Sequence, residues 1–158
     1  MKAKKVMIAL DYDPSAQKVA DAGFSMAKAM NAEVVLLHVI SDPVYYASTE
    51  YSPIMGLTDS LGVDPLKFDG IDRLREVSQH FLNTIKHHLG DDTVVTVLKE
   101  GEFADSILKA AKDNHADIIV LGSHSRKWLE NIVMGSVTND VLRQTSIPLF
   151  IVPMKKHG

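Results

Sequence analysis

Ala116-Asp117-Ile118-Ile119-Val120-Leu121-Gly122-Ser123-His124 runs from a polar start through an unbroken apolar block into small residues. A strand covered on both faces reads as such a block, whereas a strand with one wet face alternates. Four further blocks share this character: Lys5 to Leu10, Glu33 to Ile40, Thr93 to Leu98 and Pro148 to Val152; the block above contributes Asp117 to Leu121. Between most of them lie segments long enough for a helix. Strands alternating with helices imply an α/β fold on a parallel sheet.

The first helix is expected to open at Asp13-Pro14, where an aspartate can cap free N–H groups and proline loses nothing at the first helical position. It should run to about Met30, with Ala20, Phe24, Ala27 and Met30 as its buried stripe. Leu66 to Leu89 predicts a second helix with Ile71, Leu74, Val77, Phe81, Leu82 and Ile85 inward and Gly90 as its stop. A third is expected over about Phe103 to His115 and a last over about Ser136 to Thr145. The stretch from Ser41 to Asp64 contains Pro43, Tyr45, Tyr46, Tyr51, Pro53, Gly56 and Gly62 without a period, which predicts an irregular loop at about 41–64. Its tyrosines suit either loop packing or a ligand or partner surface. Without repeats or a second boundary, residues 1–158 are expected to form a single domain.

At 158 residues, 46% hydrophobic and 23% charged, the chain has the composition of a globular protein that can bury a real core. Its formal charge of −3 gives no basic footprint for nucleic acid. The absence of cysteine excludes disulfides, thiolate catalysis and Cys-bound metals. The apolar run Val6 to Leu10 is too short for a signal-peptide core or a membrane span, so a cytoplasmic protein without a membrane partner is expected.

Ligands of open parallel sheets bind beyond the carboxyl ends of strands, where the strand order reverses. Asp11 follows the first strand, and Gly122-Ser123-His124-Ser125-Arg126 follows Leu121 at the end of the fourth. Gly135-Ser136 precedes a helix whose free N–H groups suit a phosphate, so the span Gly122 to Ser136 can hold a polyphosphate. Glycines and serines at these places are equally common as plain turn and cap residues. Ser123, His124 and Asp11 invite a nucleophile-and-base reading, but no G-x-S-x-G elbow supports it. His80, His87 and His88 are seven and one apart, whereas metal ligands on one helix face are separated by roughly three or four positions. A P-loop lysine is also missing, so rapid phosphoryl transfer is not expected. Asp11 and Asp13 can at most touch one Mg²⁺.

Taken together, Leu37-His38-Val39-Ile40, Glu100-Gly101-Glu102, the 116–124 stretch, Gly135-Ser136-Val137 and Ile147-Pro148-Leu149-Phe150-Ile151-Val152-Pro153 resemble the universal stress protein (UspA) family over essentially the whole chain. The resemblance implies a Rossmann-like open sheet of five parallel strands in the order 3-2-1-4-5, commonly a homodimer, and in one branch an ATP site. That branch carries Gly-x2-Gly-x9-Gly-Ser/Thr; this chain has Gly122, Ser125 in the second glycine position, then Gly135-Ser136.

Carried over by position, the backbone of Ala9 lies near the base, Asp11 contacts the nucleoside, and Val39 forms the apolar wall beside adenine. Leu121 and Gly122 lie under the nucleoside and α-phosphate, while Gly135, Ser136 and Val137 donate to phosphates. Ser123, Ser125 and Arg126 complete the candidate nucleotide contacts. A serine held at positive φ would cost roughly 1–2 kcal/mol, or about one decade of affinity, though its hydroxyl can also donate to phosphate.

The expected role is a cytoplasmic stress-response protein binding ATP, or AMP or ADP, as a regulatory ligand that alters a partner surface, with no catalytic residues and at most slow hydrolysis. The alternative is a UspA-type dimeric interaction protein that binds no nucleotide. The final apolar strand, at the expected sheet edge, predicts a homodimer through Leu149, Phe150, Ile151 and Val152.

Overall fold

The computed structural model describes residues 4–12, 15–41, 70–123 and 135–154. Five strands alternate with four helices among these residues: β1 (Lys5–Ala9), α1 (Ala16–Ala29), β2 (Glu33–Ile40), α2 (Gly70–Leu89), β3 (Val95–Glu100), α3 (Phe103–Asp113), β4 (Ile118–Gly122), α4 (Ser136–Gln144) and β5 (Leu149–Val152). All pairings are parallel and the order is β3-β2-β1-β4-β5. The expected topology is thus the observed one, with β1 at the centre and the order reversing beside it.

Strand periodicity explains the apolar blocks. Val6, Ile8 and Leu10 point into one core layer with α1 and α2, while Met7 and Ala9 point into the other with α3 and α4. Both layers exclude water, so β1 needs apolar residues at successive positions. β2 divides likewise: Val34 and Leu36 face the first layer, and Val35, Leu37 and Val39 the second. A third, smaller cluster of Tyr12, Ile40, Leu74 and Val77, with Ile71, Phe81 and Leu98 against it, extends the α2 side.

The structure corrects several expected boundaries. α1 begins at Ala16 with Ser15 in the N-cap position; Asp13 and Pro14 lie outside the described residues, as do 42–69, which hold nearly all of the expected loop and the expected first residues of α2. The buried stripe of α1 is Ala16, Val19, Ala20, Gly23 and Ala27, with Phe24 and Met30 only half-buried. Small residues occupy the stripe because the helix lies close to the sheet: a Cβ on Gly23 would approach Ile8 Cδ1 at 2.8 Å and Val120 Cγ1 at 3.1 Å.

β3 starts two residues later than expected. Thr93 belongs to the preceding turn, where its N–H and hydroxyl both donate to Asp91 Oδ1. The strand then continues to Glu100, paired with Ile40, and as an edge strand it is only partly buried. The α3 start agrees with expectation, its Glu102 carboxylate accepting from the N–H groups of Ala104 and Asp105. Gly90, at φ 73°, ends α2 as expected, while Asn31 and His115 adopt φ 55° and 56° after α1 and α3. These left-handed positions let the chain leave each helix while its last carbonyls remain bonded.

At the opposite edge, β5 pairs only with β4 among the described residues. Phe150 is 38% exposed, whereas Val152 is buried inside the fold. Among the described residues no helix is long and apolar enough to cross a membrane.

Because Ile8 is fully buried and cannot swing away from α1, Gly23→Ala should destabilise the protein modestly and Gly23→Val by about 1–3 kcal/mol. Urea unfolding checks this as a lower midpoint at unchanged m-value; equal midpoints for wild type and Gly23→Val would contradict the close packing.

Candidate functional site

Right-handed β-α-β connections place the starts of helices beside the ends of strands, and here α1, α3 and α4 all begin around one cleft at the β1–β4 switch point. Its floor is formed by the exits of three neighbouring strands: Ala9, Leu10 and Asp11 after β1, Leu37 and Val39 on β2, and Leu121 and Gly122 on β4. Ser15, Ala16 and Val19 of α1 stand on one side, with Phe103 and Ile107 of α3 and Val137 and Thr138 of α4 around the remainder.

Six of the candidate contacts from the sequence meet in this cleft: Ala9, Asp11, Val39, Leu121, Gly122 and Val137. Ser123, Gly135 and Ser136 are not among its lining residues. Ser123 is buried and its polar groups tie the scaffold together. Its N–H donates to the Val152 carbonyl (2.9 Å), its Oγ accepts from Met154 N (2.8 Å), and its carbonyl accepts from Gly135 N (2.6 Å). Gly135 is the N-cap of α4, so this last bond ties the start of α4 to the exit of β4. Ser136 is exposed. Ser125 and Arg126 lie outside the described residues, as do His124 and Asp13.

Several lining residues escaped the sequence reading. Leu37 was legible in principle, since two-residue periodicity puts it on the same face as Val39. Phe103 and Ile107 are four apart and share a helix face. Thr138 carried no obvious signal. It is buried, and its hydroxyl donates to the Gly122 carbonyl at 2.8 Å, which fixes the first turn of α4 against the end of β4. The first-turn N–H groups of that helix have no intrahelical acceptors and carry the positive end of its dipole.

The β1 exit is clamped from behind. Leu10 N donates to the Leu37 carbonyl at 2.8 Å, and His38 Nδ1 donates to the Leu10 carbonyl at 2.8 Å. Asp11 is half-buried, with Oδ1 accepting from Tyr12 N at 2.9 Å. Tyr12 stacks on Phe81 with 4.4 Å between centroids, and its hydroxyl donates to the Val77 carbonyl at 3.3 Å. His38 lies edge-on to both rings. Burial pushes its pKa down to about 4, against a smaller opposing effect of the Leu10 bond, and burial raises that of Tyr12. Both rings are therefore neutral near pH 7.

The cleft combines apolar walls, one carboxylate and a helix N-terminus. Among the described residues no group of three His, Asp or Glu side chains converges to hold a metal.

An open sheet with a cleft at its switch point defines the Rossmann-like class of α/β proteins. The chain belongs to the universal stress protein family, whose profile matches residues 2–153. It is 29% identical to universal stress protein MJ0577 of Methanocaldococcus jannaschii over 156 residues, covering 96% of each chain. The solved structure of MJ0577 superimposes with a TM-score of 0.71 at 26% identity, covering 99% of this chain and 100% of that one. A universal stress protein solved in complex with cAMP matches at a TM-score of 0.59 and 20% identity, covering 96% and 98%.

The buried histidine makes a pH prediction. The unfolded chain takes up a proton on His38 near its ordinary pKa of 6.5, while the folded state refuses it until about 4. Its contribution is therefore complete above pH 6.5 and declines as the pH falls towards 4, by up to roughly 3 kcal/mol. Unfolding free energies measured between pH 7 and 4.5 should show this slope in wild type and lose most of it in His38→Leu; parallel curves would contradict a neutral buried imidazole.

Proposed function

We propose that this protein binds an adenine nucleotide, ATP or its relatives ADP and AMP, as a regulatory ligand in the β1–β4 cleft. The observation that carries the reading is the convergence of three complementary surfaces. Ala9, Val39 and Leu121 offer an apolar slot for a flat base, Asp11 an acceptor for sugar hydroxyls, and α4 a first turn suited to phosphate. The universal stress protein solved with cAMP, itself an adenine nucleotide, supports this ligand class. Ser125 and Arg126 flank the phosphate end in sequence.

The nucleotide acts as a signal. No P-loop lysine is present in the sequence, so any hydrolysis should be slow. Binding free energy can instead shift the population of states that a protein partner recognises. We place this activity in the cytoplasm, in a single-domain chain that neither crosses membranes nor binds nucleic acid.

One observation favours the alternative of a dimeric interaction protein without nucleotide. The Gly135 N–H, expected to face phosphate, already donates to the Ser123 carbonyl. Denaturing freshly purified protein and identifying released nucleotide by mass spectrometry, then titrating the emptied protein with ATP, ADP and AMP, separates the readings. Stoichiometric release or micromolar binding is expected, with Asp11→Ala weaker and Ser125→Gly about tenfold tighter. Neither release nor binding would leave the interaction protein.

We further propose a homodimer built on the β5 edge, where Phe150 is the exposed aromatic and Leu149 and Ile151 are half-buried. Phe150→Asp should convert a dimer to a monomer by light scattering at matched concentration. A dimer that survives the charge would move the interface elsewhere.

A further inference from the structure

His38 has an unfavourable environment. It is 1% exposed, its Nε2 has no hydrogen-bond partner among the described residues, and its ring meets the stacked pair Tyr12 and Phe81 edge-on. Leucine or phenylalanine would fill such a place without leaving a buried acceptor unmet, a defect that costs about 1–3 kcal/mol. What the imidazole supplies and neither of these does is the Nδ1–H donor, and it points at the carbonyl of Leu10.

That carbonyl belongs to the peptide joining Leu10 to Asp11, and both residues line the cleft. β2 holds Leu10 at both polar atoms from consecutive residues, the Leu37 carbonyl taking its N–H and His38 bonding its oxygen. Beyond it, Asp11 Oδ1 is aimed by the N–H of Tyr12, and Tyr12 is anchored on α2 through Val77 and Phe81. Each link restricts rotation of the short segment that presents the carboxylate.

We propose that His38 is a positioning residue for ligand binding, fixing the Leu10-Asp11-Tyr12 segment so that the Asp11 carboxylate faces the cleft in one orientation. Tyr12, whose ring meets His38 edge-on, is its partner at the other end of that segment. The inference rests on the nucleotide reading for its effect on affinity, and on the geometry alone for its effect on the segment.

Two measurements on wild type, His38→Leu and His38→Asn test it, since asparagine can replace the Nδ1–H donor. Without ligand, exchange of the Tyr12 amide should accelerate in His38→Leu and return towards wild type in His38→Asn. With ATP, ADP or AMP, His38→Leu should lose about tenfold in affinity, and the loss should shrink to less than about twofold when Asp11→Ala is already present, as expected of coupled residues. Equal losses in both backgrounds, or Tyr12 exchange unchanged in a folded His38→Leu, would overturn the proposal. A wild type that binds no nucleotide would defeat the nucleotide reading alone, and the amide exchange would still decide the role of His38.

Discussion

β1 has to satisfy two core layers and two neighbouring strands at once. Met7 and Ile8 are fully buried on opposite faces, and their backbones pair with β2 on one side and β4 on the other. β2 and β4 share that constraint, but only β1 lies at the middle of the five, where the strand order reverses, and the cleft is the direct result. Where β1 ends between neighbours whose connections depart in opposite directions, the helices cannot close over the gap. Polar residues enter the sheet at the point where its core strand runs out, which is why Asp11 follows five residues without a charge.

How far the sequence revealed this depends on which force dominates locally. Strands buried on both faces were legible because solvent exclusion dictates their composition. β3 was misplaced because its start is decided by the Asp91 side chain capturing Thr93, a local competition that apolar patterning does not record. The expected α1 stripe is buried at Ala20 and Ala27 but not at Phe24 and Met30, because it is Gly23 that lies against Ile8 and Val120 of the sheet. Of the six cleft residues, strand ends marked Asp11 and Gly122, whereas Ala9, Val39, Leu121 and Val137 followed from the family resemblance. Thr138 was not legible, since a threonine early in a helix is ordinary until its hydroxyl is seen on the Gly122 carbonyl. Ser123 illustrates the opposite case: its position beside the glycine suggests a ligand contact, while its polar atoms serve Val152, Met154 and Gly135.

The clamped β1 exit shows how polar groups can be kept in a core at a cost. The cluster around Tyr12, His38 and Phe81 lies on the α2 side of the sheet, whereas the cleft opens at the strand ends between α1 on that side and α3 and α4 on the other. Hydrogen bonds through the strand backbone connect the two sides. Rigid placement of a single carboxylate limits the rotational freedom lost when a ligand is captured, which is worth more than an additional mobile contact.

The bond from Gly135 N to the Ser123 carbonyl brings two points of the chain together at the base of the 123–135 stretch. Thr138 reinforces the closure from one turn further along. The two ends of that stretch are therefore held at a common foot, whatever the number of residues between them. Lengthening it adds only a slowly rising closure entropy, so this is the place where insertions could accumulate in evolution while β4, β5 and α4 keep their register.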